Sequence, residues 1–254
     1  MKSLSLPKTD YSEIADHYDK LRPPPADVWN SKIIEYGEIN EKSRVLDVGC
    51  GTGRFPLGIS AQTRAKIYSL EPSIHMLRKA VEKDKSKKIL WVQGDGQRLP
   101  FKDNCFDCVY MTLVIHHIPN KEQALREIHR TLKKDGKCVI MTNSHSRMKK
   151  QILHYFPKLV AIDLKRFPTI PQFKNVMTEA GFRNVHYHIV KHDEGYLSTN
   201  EYLDRVREKH ISTLTLLSEE DFNKGIKTYE KRVREEYGDQ IRRIMAFDFV
   251  IGTK

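Results

Sequence analysis

The sequence predicts an α/β fold built on a parallel, doubly wound sheet. From Arg44 onward, short apolar segments rich in β-branched residues alternate with longer amphipathic segments. Strands that are apolar on both sides are expected to be buried between two layers of helices, as in parallel sheets. The apolar segments are RVLDVG, KIYSLE, ILWVQGD, FDCVYMTLV, KCVIMTN, VHYHIV and MAFDFVIG.

The amphipathic segments between these strands are expected to form helices, because their apolar residues recur with helical spacing. Residues 1 to about 40 also have a helical pattern, with a break at Pro23, Pro24 and Pro25. A glycine, Gly181, directly follows the last predicted helix of the core and marks its end. The predicted core helices cover residues 55–63, 74–85, 121–132 and 170–180.

The end of the chain departs from this alternation. About 50 residues separate VHYHIV from MAFDFVIG, and they contain two further helical patterns, at 198–209 and 218–237. Ser198 and Ser218 are suitable N-caps for these helices. We therefore predict one domain with a helical lid (1–40), a core (41–190), a helical cap inserted at 191–243 and a last strand (244–254).

The composition is that of a globular protein, with 254 residues, 39% of them hydrophobic and 30% charged. No apolar run approaches the roughly 18 residues of a membrane span, and the N-terminus lacks an apolar signal core. A cytoplasmic protein is expected. The four cysteines, Cys50, Cys105, Cys108 and Cys138, include one C-x-x-C but no second pair at zinc spacing, so reduced thiols and no metal are expected.

The net charge of +11 favours anionic partners such as RNA, phosphorylated metabolites or acidic membranes. Residues 147–166 hold six basic residues against one acid, Asp163. Within this stretch an apolar stripe at helical spacing predicts either a membrane-surface helix or a helix that packs on a core. The stripe consists of Met148, Ile152, Tyr155, Phe156 and Leu159.

A glycine-rich turn follows the first strand, in the segment Asp47-Val48-Gly49-Cys50-Gly51-Thr52-Gly53. Glycines let the backbone turn tightly and approach a ligand closely. A dinucleotide fingerprint would continue with Gly or Ala at the position occupied by Arg54. The turn therefore favours a ligand without a pyrophosphate.

Acidic residues also end the second and third strands. Glu71 lies 24 residues after Asp47, where a carboxylate can accept hydrogen bonds from both hydroxyls of a ribose. Asp95 lies in Gly94-Asp95-Gly96, where its carboxylate and a neighbouring amide can recognise the edge of an adenine. These positions predict a nucleoside-type ligand at the carboxyl ends of the strands.

As a set, these motifs resemble the class I S-adenosylmethionine-dependent methyltransferases, in particular the group that includes the ubiquinone and menaquinone C-methyltransferases. The resemblance covers about residues 11–190 and is carried by VLDVGCGTG, Glu71, GDGQRLPF, FDCVYMTLVIHH and LREIHRTLKKDGKCVI. It implies a Rossmann-like, doubly wound sheet of seven strands whose last strand is antiparallel. It also implies S-adenosyl-L-methionine as the cofactor and S-adenosyl-L-homocysteine as the product.

The resemblance implies roles by position. The turn would hold the methionine part of the cofactor, Glu71 the ribose, Asp95 and Gly96 the adenine, and the strand end from Met111 to Val114 would line the sulfonium side. Tyr11, Tyr18 and Arg22 resemble an element that closes over the cofactor, with helix packing and a surface charge as the alternative. The implied cofactor-binding residues are Tyr18, Arg22, Asp47, Gly49, Cys50, Gly51, Gly53, Glu71, Pro72, Met76, Asp95, Gly96, Met111 and Thr112.

Methyl transfer from a sulfonium is an in-line displacement, for which the protein mainly supplies orientation. A general base is needed only if the nucleophile carries a proton. His116 and His117 follow the fourth strand and are candidates for such a base or for orienting the acceptor. The alternative is that both are ordinary loop histidines.

The methyl acceptor is open at this stage. A small molecule, either an anionic metabolite or a lipid-linked quinone, fits a pocket under the helical cap. A tRNA or other RNA is the alternative, supported by the positive charge but not by any recognisable RNA-binding module. A non-catalytic protein that binds the cofactor is a third hypothesis, and the expected assembly is a monomer or a homodimer.

Overall fold

The computed structural model describes residues 15–22, 24–149 and 151–254. Its centre is a seven-stranded sheet in the order β3-β2-β1-β4-β5-β7-β6. β7 is antiparallel to both of its neighbours, whereas β1 to β5 are mutually parallel. The predicted fold class is confirmed. The strands are β1 (Arg44–Val48), β2 (Lys66–Glu71), β3 (Leu90–Gln93), β4 (Phe106–Thr112), β5 (Leu132–Thr142), β6 (Arg183–Ser198) and β7 (Gln240–Thr253).

The described part of the chain contains ten α-helices outside the sheet. Local capping explains several of their starts: the Ser73 hydroxyl accepts a hydrogen bond from the Met76 amide, and Oδ1 of the Asn120 side chain accepts one from the Gln123 amide. The helices are α1 (Ala15–Leu21), α2 (Asp27–Tyr36), α3 (Arg54–Gln62), α4 (Ile74–Lys83), α5 (Lys121–Thr131), α6 (His145–Met148), α7 (Leu159–Arg166), α8 (Ile170–Glu179), α9 (Thr199–Arg207) and α10 (Glu219–Tyr237).

The sheet is buried on both faces, as the apolar strands predict. On one face, Ile128 of α5 and Met177 of α8 are fully buried against strand residues such as Ile140. On the other face, Ile33 of α2 and Ile59 of α3 are fully buried. These two cores place the helices on opposite sides of the sheet and leave the carboxyl ends of the parallel strands along one edge.

A third core lies in the cap. Tyr229 and Val233 of α10 pack with Leu203 of α9, and residues 152–166 add Phe156 and Leu159, each 1% exposed. The cap is therefore built from two separate segments of the chain.

Of the two alternatives for the stripe from Met148 to Leu159, a membrane-surface helix or packing on a core, the structure has the second, although the stripe is not a single helix. The chain forms α6, a short 3-10 turn at Ile152–Tyr155 and α7, and Phe156 and Leu159 face the cap core. Pro157 explains the interruption, since the residue before a proline avoids the helical region, and Phe156 has ψ 119. Among the described residues, no helix is both long and apolar enough to cross a membrane.

The predicted helical insertion at 191–243 is too wide. Its helices run only from Thr199 to Tyr237, whereas β6 continues to Ser198 and β7 begins at Gln240. The extended parts pair with each other, and an exposed ion pair of 2.7 Å joins Asp193 to Arg242. Many side chains of this two-stranded ribbon are exposed and charged, although Leu197 and Ile241 pack on the cap core, and so the ribbon lacks the continuous apolar signature of a core strand.

Candidate active site

The glycine-rich turn follows β1 at the edge where the parallel strands end. Gly49, Gly51 and Gly53 all have positive φ angles, of 81°, 55° and 78°. An added Cβ at Gly49 would lie 2.5 Å from the Val114 side chain, and one at Gly53 would lie 2.8 Å from Trp91. Among the described residues, and apart from Gly51 and its two chain neighbours, no atom lies within 4 Å of the corresponding position at Gly51. Gly49 and Gly53 thus serve the packing of the turn, while Gly51 borders open space.

Glu71, at the end of β2, is bonded to this turn. Its Oε2 accepts the Gly51 amide at 2.9 Å, and its Oε1 accepts the Ser73 amide at 3.0 Å. Glu71 is 7% exposed, and burial raises its pKa while the two amides oppose that rise. Each carboxylate oxygen has a second lone pair and can also accept a hydroxyl.

Asp47 is fully buried at the end of β1. In the described structure neither of its carboxylate oxygens has a hydrogen bond of good geometry. Burial raises the pKa of Asp47 well above its usual range, the nearby Tyr110 hydroxyl opposes this rise, and the charge of Glu71 adds to it. A buried carboxyl without partners is costly, so a ligand that supplies a donor or a positive charge would be favoured here.

Asp95 lies just beyond β3 and is exposed. Its Oδ1 accepts the Gln97 amide at 2.8 Å, and its Oδ2 accepts the Gln97 side-chain nitrogen at 3.1 Å. Gly96 is buried against Val48, which a Cβ on Gly96 would approach to 3.0 Å. Two further predicted cofactor-binding residues follow β2: Pro72, between β2 and α4, is exposed, and Met76, on α4, is buried.

The end of β4 lies next to the glycine-rich turn. Met111 is fully buried and Thr112 half-buried, and the chain then turns at Leu113, which has a φ of +57°. The turn is held by a hydrogen bond of 2.9 Å from the Leu113 amide to the Met141 carbonyl. It brings Val114 against Gly49 and begins the 3-10 turn Ile115–His117.

α1 connects this edge to the cap, a contact that the sequence did not predict. Arg22 donates from Nη1 to the Tyr18 hydroxyl and from Nε to the His210 carbonyl, each at 2.7 Å. Asp19 accepts the Thr52 hydroxyl at 2.5 Å, so the same helix is also tied to the glycine-rich turn. Tyr11, the other predicted residue of this element, lies outside the described residues.

The two candidate catalytic histidines lie side by side in the 3-10 turn. His116 stacks on Phe167 with 3.9 Å between ring centroids, and burial lowers its pKa well below the usual range. His117 Nδ1 lies 3.1 Å from Arg166 Nη2. Burial, followed by the charge of Arg166, lowers the pKa of His117 to about 3. Both imidazoles are therefore neutral near pH 7 and are poorly matched to a role as general base.

Arg166 is the residue of this region that the sequence did not single out. Its side chain is 5% exposed and donates to the Thr213 hydroxyl at 2.8 Å, with the Asp163 carboxylate 3.5 Å away. Arg147 is also largely buried and forms an ion pair with Asp248. The basic stretch at 147–166 therefore does not form a continuous phosphate-binding surface, since two of its arginines point inward.

Within the described ranges, no three His, Cys, Asp or Glu side chains converge as metal ligands. The four cysteines are free, and all but Cys105 are buried. Burial raises the pKa of Cys50 and of Cys108 well above the usual range, which makes these thiols unreactive.

Comparison with known proteins shows what this chain is similar to. Residues 46–140 match the family model described as a methyltransferase domain. The demethylmenaquinone methyltransferase of Lactiplantibacillus plantarum is 28% identical over 185 residues, which are 63% of this chain and 78% of that protein. The enzyme of the same name from Staphylococcus carnosus is 29% identical over 202 residues, 69% of this chain and 84% of that protein.

A solved structure is similar in fold. It is described as a methyltransferase from an antibiotic biosynthesis pathway of Anabaena variabilis, and it has a TM-score of 0.73 at 22% identity. The match covers 91% of this chain and 98% of that chain, so the cap and the core are both included.

The fold and the site together define a class I methyltransferase: a seven-stranded sheet with an antiparallel last strand, a glycine-rich turn after β1 and an acid that ends β2. The matched domain and the relatives are consistent with this class. This chain is an S-adenosylmethionine-dependent methyltransferase, and it resembles the quinone C-methyltransferases. The predicted class and cofactor are confirmed, while the roles of the individual site residues stay predictions.

Proposed function

We propose that this enzyme transfers the methyl group of S-adenosylmethionine to a small-molecule acceptor at the carboxyl ends of β1, β2 and β4. The observation that carries the proposal is the buried Asp47 carboxylate, which has no hydrogen-bond partner in the described structure and lies beside the turn that contains Gly51. The ammonium group of a methionine moiety is a donor of the kind that Asp47 lacks.

The residues present fit the remainder of the cofactor. Glu71 has lone pairs for the ribose hydroxyls, and Asp95 with Gly96 lies at the next strand end, where an adenine would reach. Met111 and Thr112 would line the sulfonium side. The cofactor supplies an activated methyl group, so the protein has to orient the acceptor in line and exclude water.

The cap and α1 are suited to exclude water. Arg22 connects α1 to the cap, because it donates a hydrogen bond to the His210 carbonyl in the loop after α9. Arg166 donates hydrogen bonds to the Ser212 and Thr213 hydroxyls of the same loop. An acceptor held beside His116 and His117 would therefore lie between the sheet and this loop. Arg22 and Arg166 both contact this loop, and their positive charges favour an acceptor with an acidic group.

Both relatives described above carry the name demethylmenaquinone methyltransferase, and for this reason a quinone-like ring is the first acceptor to test. An RNA acceptor has less support, because Arg147 and Arg166 of the basic stretch are largely buried.

The decisive experiment is calorimetric titration of the purified enzyme with S-adenosylmethionine and with S-adenosylhomocysteine, followed by a methyl-transfer assay with demethylmenaquinone. Binding of both ligands and weaker binding by Asp47→Asn would support the proposed site. A folded, ligand-free protein that binds neither compound would overturn it. Binding without transfer to any acceptor, RNA included, would instead favour a non-catalytic cofactor-binding protein.

A further inference from the structure

Asp19, on α1, contacts the glycine-rich turn. Its Oδ1 accepts a hydrogen bond of 2.5 Å from the Thr52 hydroxyl, and its Oδ2 lies 2.6 Å from Nζ of Lys83 on α4. Thr52 directly follows Gly51 in the chain and is fully buried. The position of α1 therefore depends on the conformation of the turn that would hold the cofactor.

Arg22 directly follows the last residue of α1 and contacts the cap. Its Nε donates a hydrogen bond of 2.7 Å to the carbonyl of His210, which lies in the loop between α9 and α10. We call residues 208–218 the cap loop. The guanidinium of Arg22 also donates to the Tyr18 hydroxyl and lies 4.7 Å from the centre of the Tyr18 ring, which holds it in place. α1 thus connects the glycine-rich turn to the cap loop.

Polar contacts are the main attachment of this part of α1. From residue 18 to residue 22, where the structure describes the side chains, each is half-buried or exposed and none belongs to the three cores. The ion pair of Asp19 with Lys83 is partly exposed, so it contributes little to stability. A segment with few apolar contacts undocks more easily than the core does, and its position can therefore respond to a ligand.

We propose that Asp19 and Arg22 are positioning residues that couple the two halves of the site, so that a bound cofactor orders the cap loop over the acceptor. This inference rests on the proposed function and adds a regulation of the same site. A ligand beside Gly51 that favours the turn conformation bonded to Asp19 also favours the docked position of α1. Through Arg22, it then favours the bonded position of the cap loop. Because such a coupling is reciprocal, the acceptor binds more tightly when the cofactor is present.

Hydrogen exchange followed by mass spectrometry tests the coupling, with S-adenosylhomocysteine as the probe. The amides of His210 and Leu214 donate to the carbonyls of Arg205 and Ile211, so their exchange reports the order of the cap loop. In the wild type, saturation with the probe should slow exchange in residues 208–218 by about tenfold, within the usual range of couplings between two sites.

Two variants interrupt the connection at its two ends. Asp19→Asn and Arg22→Gln, each at a probe concentration that saturates it, should lose most of this slowing. Lys20→Gln is the matched control, since Lys20 is an exposed residue of α1 between the two, and it should behave as the wild type does. A residue that only supports the fold would change exchange equally with and without the probe.

Thermal unfolding confirms that each variant is folded, and calorimetry on the same samples measures binding of the probe. Unchanged exchange in the saturated wild type, or the full slowing in either folded variant, would overturn the inference alone. A wild type that does not bind S-adenosylhomocysteine would overturn the proposed function, and this inference with it.

Discussion

The carboxylate of Glu71 accepts the backbone amide of Gly51 at 2.9 Å. This bond joins the end of β2 to the glycine-rich turn after β1, so the predicted ribose-binding acid also holds the shape of the turn. Two motifs that are separate in the sequence are therefore one structural unit. Changes at Glu71 or at Gly51 are therefore expected to alter both the ribose contact and the shape of the turn.

Replacement of Glu71 by glutamine tests this unit. Glu71→Gln keeps the size of the side chain but removes its charge, so we expect the affinity for S-adenosylhomocysteine to fall by about 1.5–3 kcal/mol, the range for hydrogen bonds to a charged group. Calorimetric titration measures the loss. Glu82→Gln, an exposed residue on α4, is the control and should bind normally. Unchanged affinity in Glu71→Gln would show that the ribose lies elsewhere.

The glycines of the turn should respond differently to alanine. At Gly49 a Cβ would collide with Val114, so Gly49→Ala should mainly reduce the free energy of unfolding, by about 1–3 kcal/mol. At Gly51 there is open space, so Gly51→Ala should cost about 1–2 kcal/mol for the left-handed backbone but should strongly weaken cofactor binding. Denaturant unfolding and calorimetry separate the two effects. If Gly49→Ala and Gly51→Ala were equally stable and lost the same affinity for the cofactor, the distinction between the two glycines would be contradicted.

The low pKa of His117 makes folding stability depend on pH. Because the pKa is about 3 in the folded protein and near 6.5 in the unfolded chain, only the unfolded chain gains this proton between those values. The free energy of unfolding should therefore fall as the pH falls through this window, by up to about 1.4 kcal/mol per pH unit from this one group.

Buried acids such as Asp47, whose pKa is raised, make the folded protein more stable as the pH falls and so oppose the effect of His117. A variant of His117 is therefore needed to isolate its contribution. His117→Gln should lose stability less steeply than the wild type between about pH 6 and pH 4, by about 1 kcal/mol per pH unit. Urea unfolding at several pH values provides the measurement. His75→Gln, on the exposed side of α4, should behave as the wild type does. Parallel curves for wild type and His117→Gln would argue against a neutral, buried His117.

The buried ion pair between Arg147 and Asp248 predicts a strongly non-additive pair of substitutions. Arg147→Met alone leaves Asp248, which is 1% exposed, as an uncompensated charge and should cost about 3–5 kcal/mol of stability. The double variant Arg147→Met/Asp248→Leu should recover most of that loss. Chemical denaturation of the wild type, both single variants and the double variant gives the coupling energy. Additive losses would mean that the two charges do not interact.

Much of the fold could be predicted from the sequence because its signals are local. Buried parallel strands such as β1 and β4 are apolar throughout, and the turn Gly49 to Gly53 must use glycine where φ is positive. The order of Asp47, Glu71 and Asp95 at successive strand ends indicated the ligand edge. The ribbon formed by the end of β6 and the start of β7 was missed because many of its residues are exposed and charged.

The sequence by itself determined the fold class, through the periodicity of its apolar residues, and it indicated the cofactor through motifs that resemble those of the class I methyltransferases. Only the tertiary structure showed that Arg166 contacts His117, 49 residues away, and that α1 contacts the cap through Arg22. The physical reason is that charge and burial depend on neighbours distant in sequence. The sequence does not distinguish a basic residue that lies in solvent from one that, like Arg166, is buried next to an imidazole.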